Sequence, residues 1–257
     1  MRSETDGVAG KVYAFANQKG GVGKTTSAVN LAACLAEAGE RALVVDLDPQ
    51  ANATSGLGMR ANGSSSYDLL DGAPLEELAK PTAFPNLFLV PSKPELAGAA
   101  VELARREGGD RFLAESRAEA KGFDFVLLDC PPSLGPLTVN ALAAADRVIV
   151  PVQAEYYALE GLSQLMQSIN LIRVRLNPRL AIAGVLITMS DARTNLAADV
   201  EAEVRKHFGD LVFRTVVPRS VRVAEAPSHG LPITHYDRRS PGAEAYWKVA
   251  MELVERR

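Results

Sequence analysis

Short, almost purely apolar runs alternate along the chain with longer segments in which apolar residues recur every third or fourth position. The first kind reads as strands buried on both faces, the second as helices laid over them. Strands are expected at 12–15, 41–45, 86–91, 123–128, 147–152, 180–189 and 211–217. Helices are expected at 27–38, 136–145, 156–176, 195–208 and 241–255, with helical spacing also over 94–120, interrupted near Gly108 and Gly109. Glycines and serines punctuate 52–66, which reads as a loop, and short helical patterns follow at 67–70 and around 75–80. Strands alternating with helices predict an α/β fold: a doubly wound, mostly parallel sheet with helices on both faces. No repeat, low-complexity segment or linker divides it, so 11–257 is expected to be one domain behind a short polar tail, 1–10.

The first run breaks into NQKGGVGKTT and passes straight into a helical pattern. Strand, glycine loop and helix in that order make a phosphate site. Without Cβ atoms at Gly20, Gly21 and Gly23, the backbone N–H groups from Gly20 through Val22 to Lys24 can turn onto phosphate oxygens, and the helix dipole points its positive end at the same anion. Lys24 adds a full charge, Thr25 places a hydroxyl for Mg²⁺, and Thr26 continues the motif. The pattern G-x-x-x-x-G-K-[ST] is only partly met, because Gln18 stands at its first glycine and a second lysine, Lys19, precedes the glycines.

Two later runs deliver carboxylates. The strand at 41–45 ends in Asp46-Leu47-Asp48, and 123–128 ends in Asp129, the Walker B arrangement in which a carboxylate holds Mg²⁺ through water. Carboxyl ends of such strands border the ligand crevice of open α/β sheets. Asp48 is the candidate for orienting an attacking water, and Asp46 for supporting the metal shell; the alternative for Asp46 is a turn cap. One nucleotide already has Lys24, so Lys19 is either a solvated surface lysine or a charge supplied to a second site.

KGGVGKTT resembles the deviant Walker A box of the ParA, MinD and nitrogenase iron protein group, in which the early lysine reaches the partner's nucleotide across a dimer. Four more stretches, VDLDPQANATSGLG, LLDCPPSLGPLTVNAL, VPVQAEYYALEGLSQL and VPRSVRVAEAPSHG, are similar to chromosomal ParA proteins of the Soj type, and the likeness covers nearly the whole chain from Val12. The resemblance implies a P-loop ATPase using ATP and Mg²⁺ that forms an ATP-dependent homodimer and binds double-stranded DNA without sequence preference. It implies stimulation by a ParB/Spo0J-type partner, and work on the nucleoid in the cytoplasm. Arg193 and Arg222 match the family's DNA-contacting arginines, with local ion pairing as the alternative, and Pro218 matches where relatives pack the adenine. The family commonly has Asn where this chain has Ser220. No helix-turn-helix precedes the P-loop, so the autorepressing plasmid subtype is not expected.

Composition narrows the rivals. The 257 residues are 47% hydrophobic, with no run near the ~18 apolar residues of a membrane span and no signal-peptide core in MRSETDGVAG. A net charge of −3 leaves any nucleic-acid binding to a local basic patch. A MinD-like membrane ATPase would end in a basic amphipathic helix. Here Tyr246, Trp247, Val249, Met251, Leu253 and Val254 are expected to pack on the core, with Glu252 and Glu255 opposing anionic lipid. Cys34 and Cys130 form no C-x-x-C pair and are expected to be buried thiols, a poor supply for the bridging cluster of an iron protein. A small-molecule kinase or ligase on the same scaffold is a further alternative.

Overall fold

The computed structural model describes residues 10–116, 120, 122–155 and 158–256. Its strands are β1 (Lys11–Phe15), β2 (Ala42–Asp46), β3 (Lys80–Pro81), β4 (Leu87–Val90), β5 (Phe125–Asp129), β6 (Arg147–Gln153) and β7 (Ala181–Thr188). They form one sheet in the order β3-β4-β2-β5-β1-β6-β7, parallel throughout except for the short β3 edge. The longer helices are α1 (Lys24–Glu37), α5 (Leu96–Arg105), α7 (Pro136–Ala144), α8 (Ala158–Arg175), α9 (Asn195–Phe208) and α12 (Pro241–Glu255). Short ones are α2 (Asn52–Gly56), α3 (Ser66–Leu70), α4 (Leu75–Leu78), α6 (Phe112–Ser116), α10 (Val221–Glu225) and α11 (Ile233–Tyr236).

Successive strand residues point to opposite faces, and both faces are covered. Val12, Ala14, Leu43, Val45, Val126 and Leu128 enter one core cluster together with residues of α5, α7 and α8. Tyr13, Phe15, Val44, Phe125 and Leu127 enter the other, against α1 and α12. Leu31, Leu35 and Leu253 from those two helices are fully buried, each contributing about 2 kcal/mol of apolar burial. The sheet therefore needs apolar residues at every strand position, which is why its strands are visible as unbroken runs.

Several sequence expectations are corrected. The first helix begins at Lys24, three residues before the apolar spacing starts. The 52–66 loop contains α2. The 94–120 segment, by contrast, breaks near Gly108 and Gly109 as expected, into α5 and α6 parted by residues 106–111. The long helix expected from Tyr156 is described only from Ala158, Tyr156 itself lying outside the described residues, as does most of the polar tail.

The expected last strand, 211–217, is not one. After a 3-10 turn at Gly209–Leu211 the chain makes isolated parallel bridges, Val185↔Val212 with β7 and Ser190↔Pro218 just past its end. The Phe213 and Val217 amides donate to the Val185 and Ile187 carbonyls (3.0 and 2.9 Å), and side chains take up the backbone groups between them. Arg205 donates to the carbonyls of Phe213 and Arg214, both at 3.1 Å. Glu252 accepts from the amides of Arg214 (2.8 Å) and Thr215 (2.9 Å) and from the Thr215 hydroxyl.

Glu252 is thus an internal brace and not a solvated residue; it is 5% exposed. Tyr246, Val249 and Leu253 pack inward as expected and Trp247 is partly buried, whereas Met251 and Val254 face solvent. Burial raises the Glu252 pKa, but the Thr215 hydroxyl, the two amides and the Arg214 charge outweigh it and hold the carboxyl below its ordinary value. A depressed folded-state pKa gives stability that is full above the unfolded-state value and is lost as pH falls through the folded one. Glu252→Ala is expected to lower stability by about 2–4 kcal/mol at neutral pH, since it removes the buried acceptor of two part-buried amides and a hydroxyl. Denaturant titration should also find the gap narrowing with acidification; an unchanged midpoint would contradict the brace.

Candidate functional site

The glycine loop leaves β1 at the centre of the sheet, where the chain turns to β5 and β2 on one side and β6 on the other. That reversal of strand order opens a crevice at the carboxyl ends of the strands. Gly21 (φ 74°) and Gly23 (φ 85°) take left-handed backbone that disfavours any Cβ, and Gly23 is the residue on which α1 starts. Both flanks of the loop are tied down. Asn17 donates to the Pro151 carbonyl (2.7 Å) and accepts from the Lys19 amide (3.0 Å), while the Thr188 hydroxyl donates to the Val22 carbonyl (2.8 Å).

The loop forms one wall of a cleft of about 420 Å³. Gly20, Gly21, Gly23, Lys24, Thr25 and Thr26 line it, facing Asp48, Gln50, Asn52 and Pro132, with Asn30 below and Met189, Pro227 and Leu231 as apolar surface. Met189 holds a left-handed φ of 51°, an unusual state for a side chain of its size.

Charge is concentrated at the base. Lys24 is buried, and its Nζ donates to the Lys19 carbonyl at 3.3 Å. Burial lowers its pKa, with Asp129, Cys130 and Asp48 pulling the other way. Asp129 and Asp46 stand opposite each other in the β2–β5 ladder, both fully buried. Asp46 is satisfied: Oδ1 accepts from the Asp48 amide (3.1 Å), and Oδ2 from the Thr54 amide (2.9 Å) and hydroxyl (2.7 Å). Burial nonetheless pushes its pKa up to about 6 against those hydrogen bonds.

Asp129 is not satisfied. Neither of its oxygens has a hydrogen bond of good geometry, and the nearby Thr25 hydroxyl draws the pKa down without closing one. Burial first, then the Asp46 charge, drives that pKa well above the ordinary carboxylate value, with Asp48 adding and Lys24 subtracting. A buried, unpaired carboxylate beside a threonine hydroxyl has the hard-oxygen chemistry of a divalent-cation site, so the residues present fit Mg²⁺. Both cysteine thiols are buried and pushed up by that burial.

Other residues singled out in the sequence lie outside the cleft lining. Lys19 is exposed and pairs with Glu155 at 2.5 Å. Pro218 bridges Ser190 beyond the end of β7, and Met189, Pro227 and Leu231 are among the apolar residues that line the cleft. Arg193 is held by Asp191 through two contacts (2.8 and 2.6 Å). Arg222 pairs with Glu225 (3.2 Å) and Asp237 (3.6 Å). Sequence reasoning missed Thr54, Ser92, Asn30 and Gln50; the only trace was the run of polar residues after Asp48.

A glycine loop between a central strand and a helix, with a buried aspartate ending the neighbouring strand, defines a P-loop nucleoside-triphosphatase fold. Residues 10–182 match a family described as an AAA domain. The chain is 57% identical over 243 residues to the chromosome-partitioning ATPase Soj of Thermus thermophilus, covering 95% of each chain. It is 52% identical to the sporulation initiation inhibitor protein Soj of Bacillus subtilis, over 95% of this chain and 98% of that one. Among solved structures it resembles cobyrinic acid a,c-diamide synthase from Mycobacterium smegmatis with bound ATP analog and magnesium, at TM-score 0.83 and 37% identity over 96% of this chain and 95% of that one. The chain belongs to the Soj/ParA family of chromosome-partitioning ATPases.

Proposed function

We propose that the cleft hydrolyses Mg²⁺-bound ATP and that this turnover runs a DNA-partitioning switch. The observation that carries the reading is the unpaired, buried Asp129 within electrostatic reach of Lys24, which lines the glycine-loop cleft together with Asp48. In this reading the backbone from Gly20 to Lys24, with the Lys24 ammonium, holds the β and γ phosphates. Thr25 and, through water, Asp129 hold the metal, and Asp46 keeps the surrounding shell in place. Mg²⁺, when bound, supplies positive charge to the phosphate oxygens. Asp48 orients the attacking water from the opposite wall.

Lys19 serves a second copy of the chain. Lys24 already occupies the cleft, and the Lys19 pair with Glu155 is a half-exposed surface contact, worth little and readily exchanged. Two chains then face each other across two nucleotides, and that dimer binds double-stranded DNA without sequence preference. Arg193 and Arg222 meet phosphate by giving up Asp191 and Glu225. A ParB/Spo0J-type protein stimulates hydrolysis and releases the dimer, in the cytoplasm on the nucleoid. The relatives at 57% and 52% identity, matched along nearly their full length, favour partitioning over a biosynthetic ligase. No helix among the described residues is long and apolar enough to cross a membrane, and α12 turns most of its apolar face to the core.

Turnover measured alone, with nonspecific duplex, and with duplex plus the amino-terminal peptide of a ParB-type partner is expected to rise synergistically. In the Arg193→Glu, Arg222→Glu chain the DNA-dependent rise should vanish, with the salt slope of duplex binding shallower by about 2. Indifference to DNA and peptide together would overturn the partition reading. Duplex binding equal to the parent's would overturn the two arginines.

A further inference from the structure

Asp48 is held through its main chain on both sides. Its N–H donates to Asp46 Oδ1 (3.1 Å), and its C=O accepts from the Ser92 hydroxyl (2.7 Å) and from the Ala51 amide (2.9 Å). Ser92 is in turn locked by its own amide, which donates to the Thr54 hydroxyl at 2.9 Å. The Thr54 hydroxyl donates to Asp46 Oδ2 at 2.7 Å. A closed circuit results: Asp46 to Asp48, Asp48 to Ser92, Ser92 to Thr54, Thr54 back to Asp46. All four residues are buried, Thr54 at 2% and Ser92 at 1% exposure. They come from three separate places, the end of β2, α2, and the turn just past β4, which are adjacent because β2 pairs with β4. The segment they enclose is short and contains a left-handed, non-glycine residue, Ala51 (φ 53°), which such a segment keeps only when its surroundings over-determine it.

We propose that Thr54 and Ser92 are positioning residues for hydrolysis: through the Asp46 circuit they fix the Asp48 main chain so that its carboxylate stays on the wall of the cleft. The proposal rests on the reading of Asp48 as the residue that orients water. Neither hydroxyl lines the cleft, so neither touches the nucleotide; both act through Asp48. The Asp48 side chain carries one further restraint, the Gln50 amide on Oδ1 at 2.9 Å, which aims the carboxylate only as well as the backbone beneath it is held. Displacing a reacting group by about 1 Å costs on the order of 10²-fold in rate.

The test is single-turnover ATP hydrolysis with Mg²⁺, alongside nucleotide affinity and thermal midpoint, on Ser92→Ala, Thr54→Val, Thr54→Ser and Asp48→Ala in the full chain. Ser92→Ala and Thr54→Val are expected to lose roughly 10- to 100-fold in rate, with affinity within about threefold of the parent. Thr54→Ser, which keeps the hydroxyl, should restore most of the rate. Parent-like rates in both Ser92→Ala and Thr54→Val would overturn the proposal. So would rate, affinity and midpoint falling together with Thr54→Ser no better than Thr54→Val, because that is the mark of a merely structural role. The Asp48→Ala arm separates the two levels: a parent-like rate there removes the water-orienting reading itself, whereas a dead Asp48→Ala beside parent-like Thr54→Val and Ser92→Ala removes only the positioning claim.

Discussion

Lys24→Ala is expected to reduce ATP turnover at least about 10²-fold, the scale set by deleting one preorganised charge donor from a site where negative charge develops. The size of the effect follows from where the ammonium sits. Lys24 is 6% exposed, so its charge is little screened by solvent, and burial has already lowered its pKa. It is also the cation against which Asp129 and Asp48 are balanced. Without it, a triphosphate would enter a cleft lined by the Asp48 carboxylate, with Asp46 and Asp129 buried nearby and backbone dipoles as the countercharge left in its lining. Phosphate-release assays with a fluorescent-nucleotide titration check this. Nucleotide affinity should weaken together with turnover, since the same charge serves ground and transition states. Turnover close to the parent's would mean that the phosphates do not lie on this loop.

How much of this was legible beforehand depends on the distance over which each interaction acts. The strands FDFVLL and RVIVPV were readable because a sheet covered on both faces demands apolar residues at every position, a local property. The glycine loop was readable for the same reason: Gly21 and Gly23 meet their steric requirement within the loop. Segment 211–217 has the composition of a strand, and misled because its backbone bonds to β7 are interrupted: the Phe213 and Val217 amides reach the Val185 and Ile187 carbonyls, but between them the side chains of Arg205 and Glu252 are the partners. Glu252 lies 38 positions from the Arg214 amide it accepts. Charge in a helix normally marks a solvated face, and nothing nearby announces that this carboxylate turns inward.

The site divides the same way. Lys24, Asp48 and Asp129 stand at the ends of recognisable strands or in the loop itself. Ser92 lies 44 positions from the Asp48 carbonyl it holds, and only the pairing of β2 with β4 brings them together. Met189, Pro227 and Leu231 reach the cleft from the turn after β7 and from a 3-10 turn at Ala226–His229 and the residues after it, whose paths no periodicity encodes.

Lys19→Ala should give a different loss from Lys24→Ala. The Lys19 side chain lies outside the cleft lining and is half exposed, so its removal leaves the phosphate cradle intact and nucleotide affinity within a few-fold of the parent's. In the proposed dimer, what disappears is charge delivered to another copy of the chain. Cationic groups supplied in trans to phosphoryl transfer are worth roughly 10³- to 10⁵-fold, so partner-stimulated turnover should fall by about 10³-fold or more. A cis-acting surface lysine would leave turnover nearly unchanged, because an exposed pair such as Lys19–Glu155 contributes at most about 1 kcal/mol.

Light scattering on the Asp48→Ala chain, with and without a second Lys19→Ala substitution, at saturating ATP and Mg²⁺, bears most directly on whether two chains close over two nucleotides. Asp48→Ala should run at twice the monomer mass with ATP and at the monomer mass without it, and the double variant should remain monomeric in both. A monomeric Asp48→Ala chain under ATP, or a double variant that pairs as readily, would contradict the account.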